Sequence, residues 1–177
     1  LVTADGGFDV SNDYDSQETQ SFHLLFAQSI SALYTQSLGG SFVMKIFETD
    51  TQAMVDLIYL MAMHYNSVYI TKPNTSRPCN SERYLVCKEF RGIDDDKLNT
   101  LFHMLDEYNK TTGVVVDRLF TGDVSELFRD IMVESNKRFY TRQKEALGAA
   151  LAYAKRTHWV ERPRDMSCNF MKMYYGC

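Results

Sequence analysis

The chain has 177 residues, 45% of them hydrophobic, and a formal net charge of −4 at pH 7. This length and apolar content suit one hydrophobic core rather than two. No apolar run reaches the ~20 residues that a membrane-spanning helix needs, and no stretch has the composition of a signal peptide. The four cysteines form no CxxC pair, which argues against a zinc site or a disulfide framework and favours reduced thiols.

A strand, a turn and a helix open the sequence. Residues 1–4 are apolar and strand-like, so we expect this chain to be part of a longer polypeptide. Asp5-Gly6-Gly7 predicts a turn, because glycine permits positive φ and close approach of a ligand. Asp15 and Glu18 have the spacing of a helix-capping pair. The helix that they begin carries apolar residues at helical spacing and ends at Gly39-Gly40: Phe22, Phe26, Ile30 and Leu33.

The next strand is predicted over residues 42–47, which are apolar on both faces except at Lys45. Such a strand is typical of the middle of a parallel sheet that is covered by helices. Thr49 or Asp50 can cap the following helix. Its inward face is predicted to carry Met54, Leu57, Ile58, Met61 and Tyr65.

A third strand is predicted over residues 68–71, and two prolines hold residues 72–80 in a loop. Residues 84–90 form a fourth strand without an intervening helix, so it should pair antiparallel with its neighbour. This order is half of an open α/β sheet. Ligands of such sheets lie beyond the carboxyl ends of the parallel strands, where Asp5, Lys45 and Glu82 are expected to converge.

The second half of the chain is predicted to be mainly helical, and we place the boundary between residues 1–92 and 93–177. One helix covers residues 94–109, and the Asp123–Glu126 pair begins another. A separate helix is predicted over residues 141–153, and residues 114–116 could be a strand or a buried loop. The inward positions of the last two helices are predicted to be Leu127, Phe128, Ile131, Met132, Leu147, Ala150 and Leu151.

Charge is unevenly distributed along the chain. Residues 1–50 hold seven acids and one base, whereas residues 137–177 hold nine bases and three acids. A basic end can follow the phosphates of a nucleic acid, although a solvated helical surface explains the same pattern. Trp159, Tyr174 and Tyr175 could stack on a base or pack in the core. The histidines have no spacing for a metal site, and we expect no metal.

Three motifs resemble the FtsJ/RrmJ-like ribose 2′-O-methyltransferases, and within them the cap-specific mRNA (nucleoside-2′-O-)methyltransferases of cells or large DNA viruses. They are the Asp-Gly-Gly-Phe-Asp stretch at residues 5–9, the Gly-Ser-Phe-Val-Met-Lys stretch at residues 40–45, and residues 72–84, Lys-Pro-Asn-Thr-Ser-Arg-Pro-Cys-Asn-Ser-Glu-Arg-Tyr. The resemblance implies a Rossmann-like sheet whose carboxyl-terminal half is residues 1–92, with its last strand antiparallel, followed by a helical region that packs on it.

By this resemblance, Asp5, Lys45 and Glu82 are three members of a Lys-Asp-Lys-Glu catalytic tetrad. The first lysine and the glycine-rich cofactor loop are expected upstream, in the remaining half of the domain, on the same polypeptide or a separate chain. Asp5, Gly6 and Gly7 are expected to border S-adenosylmethionine. Arg77, Ser76 and Asn80 are the candidate RNA contacts.

The resemblance implies methyl transfer to a ribose 2′-hydroxyl, for which a base must remove the hydroxyl proton. We assign that role to Lys45, oriented with the hydroxyl by Asp5 and Glu82. Each residue also has a structural explanation: Asp5 as a turn aspartate, Lys45 as an extended edge lysine, and Glu82 as a partner of Arg77 or Arg83.

The expected activity is methylation of the first transcribed nucleotide of capped mRNA, without a membrane. The alternative is a non-catalytic methyltransferase-like subunit that binds RNA or has a structural role. A third option keeps the chemistry but takes ribosomal or transfer RNA. The expected location is intracellular, in the nucleus for a cellular protein and in the cytoplasm or virion for a viral one.

Overall fold

The computed structural model describes residues 1–7, 17–110 and 116–156, without the side chains of residues 17–20 and 156. Within these ranges the chain forms a four-stranded mixed sheet and four helices, which confirms the predicted α/β class. The strands are β1 (Val2–Ala4), β2 (Phe42–Ile46), β3 (Tyr65–Thr71) and β4 (Arg83–Phe90). The helices are α1 (Gln17–Thr35), α2 (Gln52–His64), α3 (Asp95–Lys110) and α4 (Glu126–Arg156).

The strand order in the sheet is β1-β2-β4-β3. β1 pairs parallel with β2, and β4 runs antiparallel to both β2 and β3, as the sequence predicted. The carboxyl ends of β1, β2 and β3 therefore meet the start of β4 at one edge. We call this edge the rim: residues 5–7, 45–50 and 72–84.

One face of the sheet forms the core. Phe42, Met44 and Ile46 of β2 are fully buried on that face, and the intervening Val43 and Lys45 are only partly buried on the other. Apolar residues of α1 and α2 fill the buried side, because the periods of strand and helix place their apolar positions on facing surfaces. Leu98, Leu101 and Met132, from the helices after residue 92, belong to the same buried cluster.

The boundary between α2 and β3 differs from the prediction. Tyr65 was assigned to the inward face of the helix, but it is the first residue of β3, with φ −119° and ψ 153°. Its ring packs against Phe90 of β4, with 5.1 Å between ring centroids. The start of α2 was also misplaced, because the Thr51 side chain, rather than Thr49 or Asp50, accepts the hydrogen bond from the Met54 amide.

The two helices predicted after residue 123 are one continuous helix, α4. The Ser125 hydroxyl accepts from the Phe128 amide at 3.3 Å, so Ser125 caps α4 in place of Asp123, whose carboxylate pairs with Arg129. Thr141 lies inside the helix and donates to the Lys137 carbonyl, so it does not begin a new one. Leu127 and Ile131 were expected inward but are 71% and 56% exposed; Leu147 and Leu151 are also exposed, whereas Met132 and Ala146 are buried.

Several predicted features lie outside the described residues: Asp15 of the first capping pair, Val114 and Val115, and Trp159, Tyr174 and Tyr175 with the surrounding bases. Val116 is described, has no regular secondary structure and packs partly buried against the core. None of the described helices is both long enough and apolar enough to cross a membrane.

Candidate active site

Lys45 and Asp5 form an ion pair at the rim. Parallel pairing of Ala4 with Met44 brings the ends of β1 and β2 together, although 40 residues separate the two side chains in sequence. Lys45 Nζ lies 2.6 Å from Asp5 Oδ1 and 3.4 Å from the Asp5 carbonyl oxygen, to which it donates. The lysine side chain is only 18% exposed and the aspartate 74% exposed. The amine is therefore held at the base of an opening that solvent enters from the aspartate side.

Glu82 reaches the rim from the loop that precedes β4. The Ser76 hydroxyl donates to Glu82 Oε1 at 2.7 Å, and Lys72 Nζ donates to the Glu82 carbonyl at 2.7 Å. Lys72 also donates to both oxygens of Asn80 and to Ser76, so one ammonium closes the whole loop. Burial lowers the pKa of Lys72, and the Glu82 charge opposes that change. These contacts fix the carboxylate without either arginine that the sequence had offered as its partner.

Tyr84 lies between Glu82 and the Lys45–Asp5 ion pair. It is the direct partner of Lys45 in the β2–β4 ladder, so both side chains lie on the partly open face of the sheet. Burial raises the pKa of Tyr84, and the negative charges of Glu82 and Asp5 and a hydrogen bond with Glu82 raise it further, while Lys45 opposes them. Tyr84 thus lies within the electrostatic field of all three charged groups.

Sequence reasoning missed Tyr84 because a tyrosine at the start of an apolar strand is typical of core packing. The sequence did contain one indication of its role: Tyr84 lies two residues after Glu82, at the start of the strand that pairs with the strand of Lys45.

The remaining candidates lie around these groups. A Cβ at Gly6 would lie 2.0 Å from Gln28 Nε2, so the turn after β1 packs tightly on α1. A Cβ at Gly7 would meet Lys45 Nζ at 3.6 Å. Ser76 and Asn80 are within the Lys72 network, whereas Arg77 is exposed beside them and contributes its carbonyl to the Asn80 amide.

A second polar cluster, also missed from the sequence, lies on the opposite face of β4 and joins the rim to α4. Arg83 is 1% exposed, and its Nη1 donates to Asn136 Oδ1 at 3.0 Å and to Thr49 Oγ1 at 3.4 Å. Its guanidinium lies 4.6 Å from the centre of the Phe139 ring. Asn136 in turn donates to the Thr49 carbonyl at 2.9 Å and to Asp50 at 3.0 Å. Asp50 also accepts from the Tyr140 hydroxyl.

The described residues contain no group of three or more His, Cys, Asp or Glu side chains placed to hold a metal ion. The groups that the rim offers for chemistry are the amine, the two carboxylates and the phenol described above. An amine beside carboxylates, at the carboxyl ends of parallel strands, is suited to acid–base work on a polar substrate.

Comparison with known proteins gives one family and a consistent set of relatives. Residues 1–90 match the FtsJ-like methyltransferase family. The chain is 39% identical over 163 residues to "Cap-specific mRNA (nucleoside-2'-O-)-methyltransferase 1A" of Caenorhabditis briggsae, covering 88% of the chain and 19% of that protein. It is 38% identical over 171 residues to "Cap-specific mRNA (nucleoside-2'-O-)-methyltransferase 1" of Mus musculus, covering 93% of the chain and 20% of that protein.

The protein of the same name from Homo sapiens is 37% identical over 172 residues. The chain spans about a fifth of the length of these relatives. The family match includes Asp5, Lys45 and Glu82, and the relatives extend the similarity through most of the helical region. The resemblance inferred from the three motifs is thereby confirmed, and the chain belongs to the FtsJ-like methyltransferase family.

Proposed function

We propose that this chain provides the catalytic rim of an S-adenosylmethionine-dependent ribose 2′-O-methyltransferase acting on the first transcribed nucleotide of capped mRNA. The observation that carries the proposal is the ion pair of Lys45 with Asp5, which lies beside Tyr84 and Glu82. Membership of the methyltransferase family and relatives named as cap-specific mRNA enzymes support the reaction and the substrate.

In the proposed reaction Lys45, as the free amine, takes the proton of the ribose 2′-hydroxyl as that oxygen attacks. Asp5 holds the amine from one side, and Tyr84 faces it across the ladder. Glu82, fixed by Ser76, extends the hydrogen-bonding edge along which the ribose would lie. The hydroxyl oxygen needs alignment and loss of its proton, and a group fixed on rigid strands supplies both.

The residues after β1 fit S-adenosylmethionine, which supplies an electrophilic methyl group when bound. Gly7 leaves open the space beside Lys45 Nζ that a Cβ would fill, and the exposed Asp5 carboxylate can accept a hydrogen bond from a cationic ligand. We assign Asp5, Gly6 and Gly7 to its binding. Among the described strands β1 pairs only with β2, so its other edge can receive further strands of the domain.

The exposed Arg77, with Ser76 and Asn80 beside Glu82, would contact the RNA near the reacting ribose. Since these residues belong to the loop closed by Lys72, their positions depend on the same hydrogen bonds as that of Glu82. We further propose an intracellular location, in the nucleus or in a viral cytoplasmic or virion compartment. The free thiols of Cys79 and Cys87 are compatible with reducing conditions there.

The experiment supplies methyl-labelled S-adenosylmethionine to the full-length protein with four RNAs of one sequence. They carry a cap with an unmethylated first ribose, the same cap with a methylated first ribose, a triphosphate, or a 5′-hydroxyl. Label is expected only on the first RNA, at its first ribose. Lys45→Ala should reduce the rate by about 10²–10⁴, the usual contribution of a general base.

Label at an internal ribose of the uncapped RNAs would show that the substrate is another RNA and not the capped end of mRNA. Absence of label from every RNA, with RNA binding intact, would favour the non-catalytic RNA-binding module. Near-normal transfer by Lys45→Ala would remove Lys45 from the role of base. Lys88→Ala is the matched control, because Lys88 is exposed on β4 away from the rim.

A further inference from the structure

A cavity of about 340 Å³ opens on the rim between residues 72–80 and α4. Three cationic side chains line it: Lys72, which follows β3, Arg83 of β4 and Arg142 of α4. Glu145 is its one acidic lining residue. The remaining polar lining consists of groups that can donate hydrogen bonds, including Asn74, Ser76 and Gln143. The excess of cations and donors is suited to an anion.

Arg83 is the buried part of this cavity. One side of its guanidinium is used, because Nη1 donates to Thr49 and Asn136. Nη2 is buried and has no hydrogen-bond partner among the described residues. No described carboxylate forms an ion pair with Arg83 either. A buried cation without an anion is costly, so a ligand that brings negative charge to this wall gains from a protein group already desolvated.

Arg142 lies at the solvent side of the same cavity, one turn of α4 beyond Phe139. Its side chain is exposed and forms no ion pair with any described residue. Lys72 differs, since its ammonium is occupied by Asn80, Ser76 and the Glu82 carbonyl. Lys72 and the buried Arg83 therefore contribute charge to the cavity, and Arg142 offers unused donors.

The cavity is joined to the candidate active site through shared residues. Ser76 lines the cavity and also donates to Glu82 at 2.7 Å. Glu82 and Arg83 are consecutive, but Arg83 lies on the face of β4 opposite to Tyr84 and Lys45, so the cavity and the candidate active site lie on opposite faces of the sheet. An RNA whose ribose lies at Lys45 and Glu82 would bring a neighbouring phosphate to the cavity by passing over the edge of the sheet at Ser76.

We propose that this cavity binds a phosphate group of the RNA, close to the ribose that is methylated. The inference rests on the proposed function, since it takes RNA as the ligand. Arg142 makes the direct contact at the mouth, and Arg83 stabilises the negative charge from beneath. Glu145 weakens the site, because its negative charge repels an anion.

The test measures RNA binding to the full-length protein over a series of salt concentrations. Arg142→Gln should weaken binding about three- to tenfold and reduce the slope of log affinity against log salt by about 0.7, the value for one phosphate contact on a single strand. Glu145→Gln should act in the opposite direction and tighten binding. Lys88→Gln removes one exposed charge outside the cavity and should leave affinity nearly unchanged.

RNAs with a single neutral methylphosphonate identify the phosphate. A methylphosphonate at one position should weaken RNA binding by the wild type and leave binding by Arg142→Gln unaffected. A 5′-hydroxyl RNA and a capped RNA separate an internal phosphate from the triphosphate bridge of the cap, because only the capped RNA contains the bridge.

If Arg142→Gln binds with the wild-type affinity and salt slope while the wild type still methylates RNA, the cavity proposal is wrong and the proposed function stands. If the wild type neither binds nor methylates RNA, the proposed function itself fails. Equal weakening by Arg142→Gln and Lys88→Gln would also overturn the site, because it would show a diffuse effect of net charge.

Discussion

Lys45 and Tyr84 lie directly opposite one another in the antiparallel β2–β4 ladder. Their side chains project from the same face of the sheet, and each is partly buried there. The strand that carries Tyr84 also positions Glu82 two residues earlier. The position of the acid relative to the amine thus depends on the register of the β2–β4 pairing and on the hydrogen bonds from Lys72 and Ser76 that hold the loop before β4.

Tyr84→Phe should lower the turnover number of the full-length enzyme about three- to tenfold, because it removes a hydroxyl that bonds to Glu82 while keeping the ring. The Michaelis constant for RNA and the melting temperature should change little. Tyr69→Phe is the control, since Tyr69 is exposed on the same face one strand away. Equal turnover by the two variants would show that the Tyr84 hydroxyl has no part in positioning Glu82.

Ser76→Ala should lower the rate of methyl transfer and loosen the loop of residues 72–82. The substitution removes the donor to Glu82 Oε1 and one acceptor of Lys72, in a residue that is buried. A cost of about 1–2 kcal/mol in the free energy of unfolding is expected, with faster proteolytic cleavage within residues 72–82. Thr75→Ala, an exposed change in the same loop, should affect neither measurement. Unchanged cleavage in Ser76→Ala would contradict the view that this network closes the loop.

Asn136→Ala should release α4 from the rim. The amide makes hydrogen bonds with Thr49, Asp50 and Arg83, and its loss leaves the buried guanidinium with one weaker partner. We expect a destabilisation of about 2–3 kcal/mol and faster hydrogen exchange in residues 126–156. Asn66→Ala removes one exposed hydrogen bond to Glu89 and should cost far less. A similar cost for both variants would exclude a special role of the buried cluster.

Cys87 should make the fold sensitive to alkaline pH. Burial raises the pKa of its thiol from 9.0 to about 12. Between these values the unfolded chain binds fewer protons than the folded one, so stability falls as pH rises above 9. The contribution is about 1.4 kcal/mol at pH 10.

Denaturant unfolding at pH 8 and pH 10 measures this effect. Cys87→Val should lose about 1.4 kcal/mol less than the wild type between the two values, and Cys79→Ala should behave as the wild type. An identical loss in Cys87→Val would show that other groups, such as Tyr65, account for the alkaline destabilisation.

The elements that position the site were predictable where local pattern decides structure. The run of apolar residues around Lys45 indicated a buried strand, and the lack of a helix before residue 84 indicated an antiparallel one. Tertiary contacts decided the rest. Tyr65 continues an apolar helical face in sequence, but packing on Phe90 draws it into β3. Polar residues around Thr141 interrupt the apolar pattern, yet no proline stops α4 there.

The two missed residues of the rim have a common physical reason. An arginine next to a glutamate at the start of a strand is ordinarily solvated, and the burial of Arg83 depends on Thr49 and Asn136, 34 and 53 residues away. The importance of Tyr84 follows from ladder register, which no local pattern contains. Conversely, Asp5 and Lys45 were placed together correctly because parallel strands end at one edge.

The buried guanidinium of Arg83 links residues from three parts of the chain, and each of these residues can mutate independently. An apolar residue at position 83 would remove a donor from the side-chain oxygens of Thr49 and Asn136, and an apolar residue at position 136 would remove the nearer acceptor of the guanidinium. Either single substitution passes through a less stable protein, whereas a paired exchange can avoid that cost. Positions 83 and 136 should therefore coevolve among related proteins, so that the contact between β4 and α4 changes only when both residues are substituted.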